Sequence, residues 1–311
     1  MKKILVTGGA GFIGSHVTEL LCDRGYAVRV VDDLRFGYKK FVDRRAAFFH
    51  NAIEDSKAMM KALDGVDVVV HLAASSIISV SYQRPLEYFK NNLIHGIKLL
   101  EAMRKSEVKK IIFSSTSSVY GEPRKTPITE EDPTHPLHAY AASKLAFEGA
   151  LHAYYSAFGI ESVTLRYYNA YGPRDDQRPK TRAIPMWIEA ILRNQPVPWY
   201  WQGKQARDYV YVTDIAQAHL DVLRLKGIHC FNVGSGRPVV MKHVLGILEH
   251  IVGKRLKTKD MGERKGDPMK SYADITKIKR VVGWTPKISL EEGLKLTFDY
   301  YTHQHKSYVS R

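Results

Sequence analysis

Gly8, Gly11 and Gly14 stand between two apolar patterns of different period. Lys3-Ile4-Leu5-Val6-Thr7 is a run of strand length, and from Phe12 to Leu21 the apolar residues recur at helical spacing. A strand that ends in glycines and restarts as a helix gathers backbone N–H groups and a helix N-terminus at one point, where a phosphate can bind. A second strand-like run, Ala27 to Val31, ends at Asp32, followed by Asp33. An acid about 20 residues beyond the glycines accepts hydrogen bonds from ribose hydroxyls and repels a 2′-phosphate. Strand, glycine loop, helix, strand and acid in this order predict a dinucleotide-binding βαβ unit that takes NAD rather than NADP, a preference that Arg35 weakens slightly. Its candidate contacts are Gly8, Gly11, Phe12, Ile13, Gly14, Asp32 and Asp33.

The alternation continues. Val66 to His71, Lys109 to Ser114 and Ser162 to Arg166 read as strands, and Pro85 to Lys105 and Tyr140 to Phe158 as helices. This pattern predicts an α/β fold, a Rossmann-type doubly wound parallel sheet whose ligands lie beyond the strand C-ends. After about residue 170 prolines and short mixed elements take over. The expected division is a dinucleotide-binding domain over 1–170, with segments near 210–235 returning to it, and a smaller, discontinuous mixed α/β substrate domain over 171–311. At 311 residues the chain is long enough for both cores.

Tyr140 and Lys144 are four residues apart on one expected helix and follow the serine-rich strand end Ser114 to Ser118. Four residues apart on a helix is one face, and a neighbouring positive charge lowers a tyrosine pKa. A tyrosine so tuned exchanges a proton with a sugar or alcohol hydroxyl near neutral pH. His71 reads as a hydrogen-bonded strand-end histidine and Asp214 as the N-cap of a helix opening at Ile215.

The two cysteines, Cys22 and Cys230, have no metal spacing and read as reduced thiols of a cytoplasmic protein; no metal site is expected. No apolar run reaches the length of a membrane span. The formal net charge of +15 fits either a lysine-rich surface or a field that attracts an anionic ligand, and no motif supports nucleic-acid binding.

With these motifs in place, the chain resembles the extended short-chain dehydrogenase/reductases, and within them the NAD-dependent nucleotide-sugar epimerase/dehydratase family. The resemblance runs over almost the whole chain: Thr7–Gly14, Asp32, His71-Leu72-Ala73-Ala74, Phe113–Gly121, Tyr140–Lys144, Leu165–Pro173, Arg207–Asp214, Asn232–Gly236 and Arg264–Asp267. It implies that Tyr140 is the general acid/base, that Lys144 binds the nicotinamide ribose and that Thr116 holds the reacting sugar oxygen. It adds Leu72, Ala73, Ala74, Arg84, Asn92, Ser114 and Tyr167 to the cofactor contacts. It assigns a UDP-sugar to Thr116, Ser117, Ser118, Asn169, Tyr200, Arg207, Arg264, Asp267 and Ser271. Two departures stand out: the acid that relatives carry for the adenine is missing near Ala52, and Trp201 replaces a glycine in Tyr200-Trp201-Gln202-Gly203.

Relatives that eliminate water or carbon dioxide carry acids after the threonine, where this chain has Ser117 and Ser118. The resemblance therefore implies reversible oxidation alone, a 4-epimerisation of a UDP-hexose through a 4-keto sugar, with UDP-glucose/UDP-galactose first. A UDP-N-acetylglucosamine or UDP-glucuronate epimerase, a UDP-sugar dehydratase or decarboxylase, an NAD-binding sensor and an RNA-binding relative are the alternatives. It also implies a homodimer that pairs the helices Pro85–Lys105 and Tyr140–Phe158.

Overall fold

The structure, a computed structural model, describes residues 2–176, 180–263 and 268–309, with side chains as far as 304. Seven parallel strands form the central sheet: β1 (Lys3–Thr7), β2 (Ala27–Asp32), β3 (Ala47–His50), β4 (Val68–His71), β5 (Lys110–Thr116), β6 (Glu161–Tyr167) and β7 (Ile228–Val233). Their order is β7-β6-β5-β4-β1-β2-β3, so the winding reverses between β1 and β4. In open α/β sheets that reversal opens a crevice at the strand C-ends.

The strands are apolar throughout because both faces are covered. Successive side chains alternate: Ile4 and Val6 pack with Val17, Leu21 and Ile215 on one face, while Leu5 packs with Met59, Leu99 and Phe147 on the other. The first face also takes Ile278 and Trp284, a return of the chain that the sequence reading did not anticipate. A separate core gathers Tyr171, Trp187, Ile188, Val244, Leu248 and Leu294 in the C-terminal half.

The expected helix over Pro85–Lys105 is interrupted. Its stretch Phe89–Ile94 is π-helical, between α-helical Pro85–Tyr88 and His95–Lys105. The wider turn turns Asn92 inward, where Oδ1 accepts the Ser75 N–H at 2.8 Å and Nδ2 donates to Ser143 Oγ at 3.0 Å. Asp214 is not an N-cap: the helix is Val212–Asp221, capped by Tyr211 without a side-chain bond. The Asp214 carboxylate instead accepts the N–H groups of Lys287 and Ile288 at 3.0 and 3.1 Å. Among the described residues no helix is long and apolar enough to cross a membrane.

Candidate active site

The glycine loop is compact because Gly8 and Gly14 carry no Cβ atoms. A Cβ on Gly14 would sit 2.1 Å from the Gly8 carbonyl oxygen. Gly8 has φ +74°, and a Cβ there would meet the Ala73 nitrogen at 2.6 Å. The loop thus closes the end of β1 against the end of β4, where the register sets Thr7 beside His71. The Thr7 hydroxyl and His71 Nδ1 are hydrogen-bonded at 2.7 Å, and burial together with the nearby Lys144 charge lowers His71 to about 3, so it is neutral. The helix Phe12–Asp23 is capped by no side chain and carries no acid in its first turn. Uncapped N–H groups at a positive helix end fit a pyrophosphate.

Asp32 braces this loop. Its Oδ2 accepts the Ala10 N–H at 2.9 Å and its Oδ1 the Leu34 N–H at 2.8 Å. Burial raises its pKa, and the two N–H groups oppose that rise. Each oxygen keeps a lone pair for a ribose hydroxyl. Leu34 turns there with φ 59°. Asp33 points outward and pairs with Arg35 at 3.4 Å.

Beyond the strand ends lies one cleft of about 980 Å³, at the upper end of the range for ligand pockets. Gly8, Gly11, Phe12, Ile13, Gly14, Leu72 and Ala74 line one end of it. Ser114, Ser115, Thr116, Ser117, Ser118, Tyr140, Lys144 and Tyr167 form its floor. Asn169, Tyr200, Arg207 and Ser271 line the other end, from short C-terminal elements. Lys144, Arg174, Arg182 and Arg207 give it four cations, and no Asp or Glu is among the described residues that line it. Such a cleft attracts polyanions.

Other expected site residues fall elsewhere. Arg84 stands outside the cleft, with its side chain 64% exposed, and pairs with Glu87 at 3.6 Å. Asn92 and Asp32 support the walls without lining them. Ala73 packs beneath Gly8. Arg264 and Asp267 lie outside the described residues.

The floor is held by pairs distant in sequence. The parallel register puts Thr116 beside Tyr167 at the ends of β5 and β6. Thr116 Oγ1 accepts the Ser118 N–H at 3.1 Å, which leaves its own hydroxyl proton to favour the Tyr140 phenolate. Burial raises Tyr140 above the usual phenol range, while Thr116 and the Arg182 charge oppose that rise. Here the structure corrects the sequence reading. The four-residue spacing does place Lys144 on the face of Tyr140, but its ammonium donates to the Ser114 carbonyl oxygen at 2.7 Å and lies 4.7 Å above the Phe113 ring. Burial lowers Lys144 to about 7, against the pull of Glu148. The Arg182 charge, which the motifs did not single out, also favours the phenolate.

Behind the floor, Glu148 accepts from the Ser115 hydroxyl and pairs with Arg166 at 2.7 Å. Arg166 in turn donates to the Tyr120 hydroxyl at 2.9 Å. Tyr167 donates to His219 Nε2 at 2.7 Å, since the His219 Nδ1–H is committed to the Ile215 carbonyl oxygen at 2.9 Å. At the far end Asp208 is fully buried. Its carboxylate accepts the N–H groups of Gly236 and Ala273, both at 3.0 Å, and its carbonyl oxygen accepts from Asn169 Nδ2 at 3.0 Å. Asp208 thereby sets Asn169 and Arg207 at the cleft. Trp201 and Gln202 both have φ 52°, so Trp201 holds a left-handed turn, a conformation that glycine adopts more readily.

Comparison with known proteins agrees with this geometry. Residues 4–234 match the family described as "NAD dependent epimerase/dehydratase family". A UDP-glucose 4-epimerase of Halalkalibacterium halodurans is 35% identical over 323 residues, covering 97% of this chain and 96% of the relative. The crystal structure of a UDP-glucose 4-epimerase from Thermotoga maritima with UDP-glucose superposes with a TM-score of 0.94 at 40% identity, covering 97% of this chain and 99% of that one. A UDP-N-acetylglucosamine 4-epimerase from Methanobrevibacter ruminantium, in complex with UDP-N-acetylmuramic acid, gives 0.91 at 33% identity, covering 97% and 99%. Glycine loop, brace, cleft and floor, together with these matches, make the chain a member of the NAD dependent epimerase/dehydratase family.

Proposed function

We propose that this protein interconverts the C4 epimers of a UDP-hexose, UDP-glucose and UDP-galactose first. The observation that carries this reading is the cleft floor: Tyr140 and Thr116 line it together with Ser117 and Ser118, and the described lining holds no carboxylate. A floor with an acid–base hydroxyl pair and no acid suits reversible oxidation and offers nothing to drive the loss of water or carbon dioxide.

The glycine loop would hold the pyrophosphate of NAD, and Asp32 its ribose. NAD supplies reversible two-electron oxidation at C4. Tyr140 takes the proton of the C4 hydroxyl and later returns it. With the sugar bound, the Thr116 hydroxyl turns its one proton to that same oxygen. Arg207 and Asn169 bind the substrate diphosphate at the far end, leaving the sugar free to present either face. The cofactor contacts come from residues 1–170, and the sugar nucleotide is shared between that part and residues 171–311.

Two further readings accompany this one. The protein is a homodimer: Leu86, Ile94, Tyr155 and Phe158 are exposed on the two helical segments expected to pair, Leu86 by 79%. It works in the cytoplasm, supported by free thiols at Cys22 and Cys230. Incubation with UDP-glucose, UDP-galactose, UDP-N-acetylglucosamine and UDP-glucuronate, with separation of products, tests the central reading. A C4 epimer is expected, and a dehydrated or decarboxylated product overturns it.

A further inference from the structure

The helix Ala139–Phe158 begins at an unusual cap. His138 has φ −152° and ψ 160°, the extended backbone that an N-cap requires. Its Nδ1 accepts the Ala141 N–H at 3.2 Å. Capping alone is met best by Ser, Thr, Asp or Asn. The imidazole adds a ring, and that ring is used. It lies parallel to the Tyr140 phenol, with centroids 5.9 Å apart and an interplanar angle of 7°. The other ring neighbour of His138 is Tyr82, edge-on at 5.8 Å. On the Tyr140 side, Tyr88 meets the phenol edge-on at 6.5 Å, its own hydroxyl fixed to the Ile77 carbonyl oxygen at 2.5 Å. The acid–base phenol therefore stands in a file of four aromatic rings, one of which is also the cap of its helix.

We propose that His138 is a positioning residue for Tyr140, capping the helix that carries the phenol and stacking on the phenol ring so that its hydroxyl stays beside Thr116 in the cleft. The inference rests on the reading of Tyr140 as the acid–base group. It requires the neutral imidazole with its proton on Nε2, because only an unprotonated Nδ1 accepts the Ala141 N–H. Burial favours that form by lowering His138 below its ordinary range.

Two substitutions separate ring from cap. His138→Asn keeps a cap and loses the ring. Its kcat with UDP-glucose should fall about tenfold, the scale of one aromatic pair, with KM within about twofold and the thermal midpoint unchanged. His138→Phe keeps the ring and loses the cap. Its thermal midpoint should fall while kcat stays within about threefold. A third readout is free of turnover: ionisation of the Tyr140 phenol, taken as the near-ultraviolet titration difference between each background and its Tyr140→Phe partner. That titration should shift in His138→Asn and stay in place in His138→Phe. Wild-type kcat in His138→Asn, or kcat and thermal midpoint falling together in both variants, overturns the proposal. Should the wild type leave UDP-hexoses unchanged, the functional reading fails by itself, and an unshifted phenol titration in His138→Asn would then overturn the positioning role.

Discussion

Lys144 donates its ammonium proton to the carbonyl oxygen of Ser114 at 2.7 Å, in a site where the lysine is 3% exposed. Glu148, one turn further along the helix, is the opposing charge that acts on it, and burial still lowers Lys144 to about 7. An unfolded lysine titrates near 10.4. Between those two values the unfolded chain binds more protons than the native one, so stability rises with pH across that window. Below about pH 7 both states are protonated and the full destabilisation is present. Lys144→Met should therefore be more stable than wild type at pH 6–7, on the order of a few kcal/mol, apart from the lost Ser114 bond. The advantage should vanish toward pH 10. Denaturant midpoints across this range check it, and a pH-independent difference contradicts it.

Tyr140 is held above the usual phenol range by burial, with Thr116 and Arg182 acting the other way. Only the phenolate removes a proton, so turnover of the substrate hydroxyl should climb as pH rises above neutral. Tyr140→Phe should lower kcat by about two to four orders of magnitude, with sugar-nucleotide binding retained. Thr116→Val removes the hydroxyl that favours the phenolate and should move the rising limb to higher pH. A pH–rate profile unchanged in Thr116→Val would detach Thr116 from the phenol.

The glycine loop makes a stricter demand. In Gly14→Ala the added carbon would lie 2.1 Å from the Gly8 carbonyl oxygen, a contact that only movement of the loop backbone relieves. NAD binding by calorimetry should fall at least tenfold, because the N–H groups that face the phosphates move with the loop. Gly25→Ala has open space around its Cβ but φ +75°. It should lower stability modestly and leave NAD affinity alone.

Local features were legible in the sequence. The glycine loop, Asp32 and the Tyr140–Lys144 spacing each lie within one or two elements, and their meaning is set by strand and helix period. Asp32 also proved to be a brace, because its oxygens reach Ala10 and Leu34 as well as any ligand. What stayed hidden depends on partners far along the chain. Asp208 meets Ala273 across 65 residues, and Asp214 meets Lys287 across 73, so one looked like part of a motif and the other like a cap. Arg182 acts on Tyr140 only through the fold. The π-helical stretch around Asn92 keeps the apolar spacing of an ordinary helix closely enough to read as one. The hydrophobic return of Ile278 and Trp284 to the first core gave no signal, since a short helix beside any apolar surface would carry the same residues.

The buried pair Glu148–Arg166 sits directly behind Ser115 and Thr116. Both side chains are below a tenth exposed, so removing one charge strands the other in a poor dielectric. Glu148→Gln should destabilise the protein by about 3–5 kcal/mol. Because Glu148 is also the charge that supports the Lys144 ammonium, the variant should shift the Lys144-dependent stability window to lower pH. A loss below about 1 kcal/mol would mean that Arg166 finds another acceptor, with the Tyr120 hydroxyl already at 2.9 Å the first candidate.

The position of Ser271 leads to a prediction about how large a sugar the cleft admits. The strand Lys270–Ser271 pairs in parallel with Ala206–Arg207, and the register sets Ser271 beside Arg207; both line the cleft. Arg207 would bind the diphosphate whatever the sugar is, so Ser271 would face the part of the substrate that varies. A hydroxymethyl side chain leaves space for an acetamido group, whereas a phenol would occupy it. Wild type should thus act on UDP-N-acetylglucosamine as well as on UDP-glucose. Ser271→Tyr should abolish the first activity and keep the second within about tenfold, since steric exclusion in a packed site costs more than the 1–3 kcal/mol that separates substrates differing by one methylene. The two kcat/KM values, measured side by side, check this. Equal loss of both would show that the side chain at 271 perturbs Arg207 rather than the sugar. Absence of N-acetyl activity in the wild type would place the limit on sugar size elsewhere in the cleft.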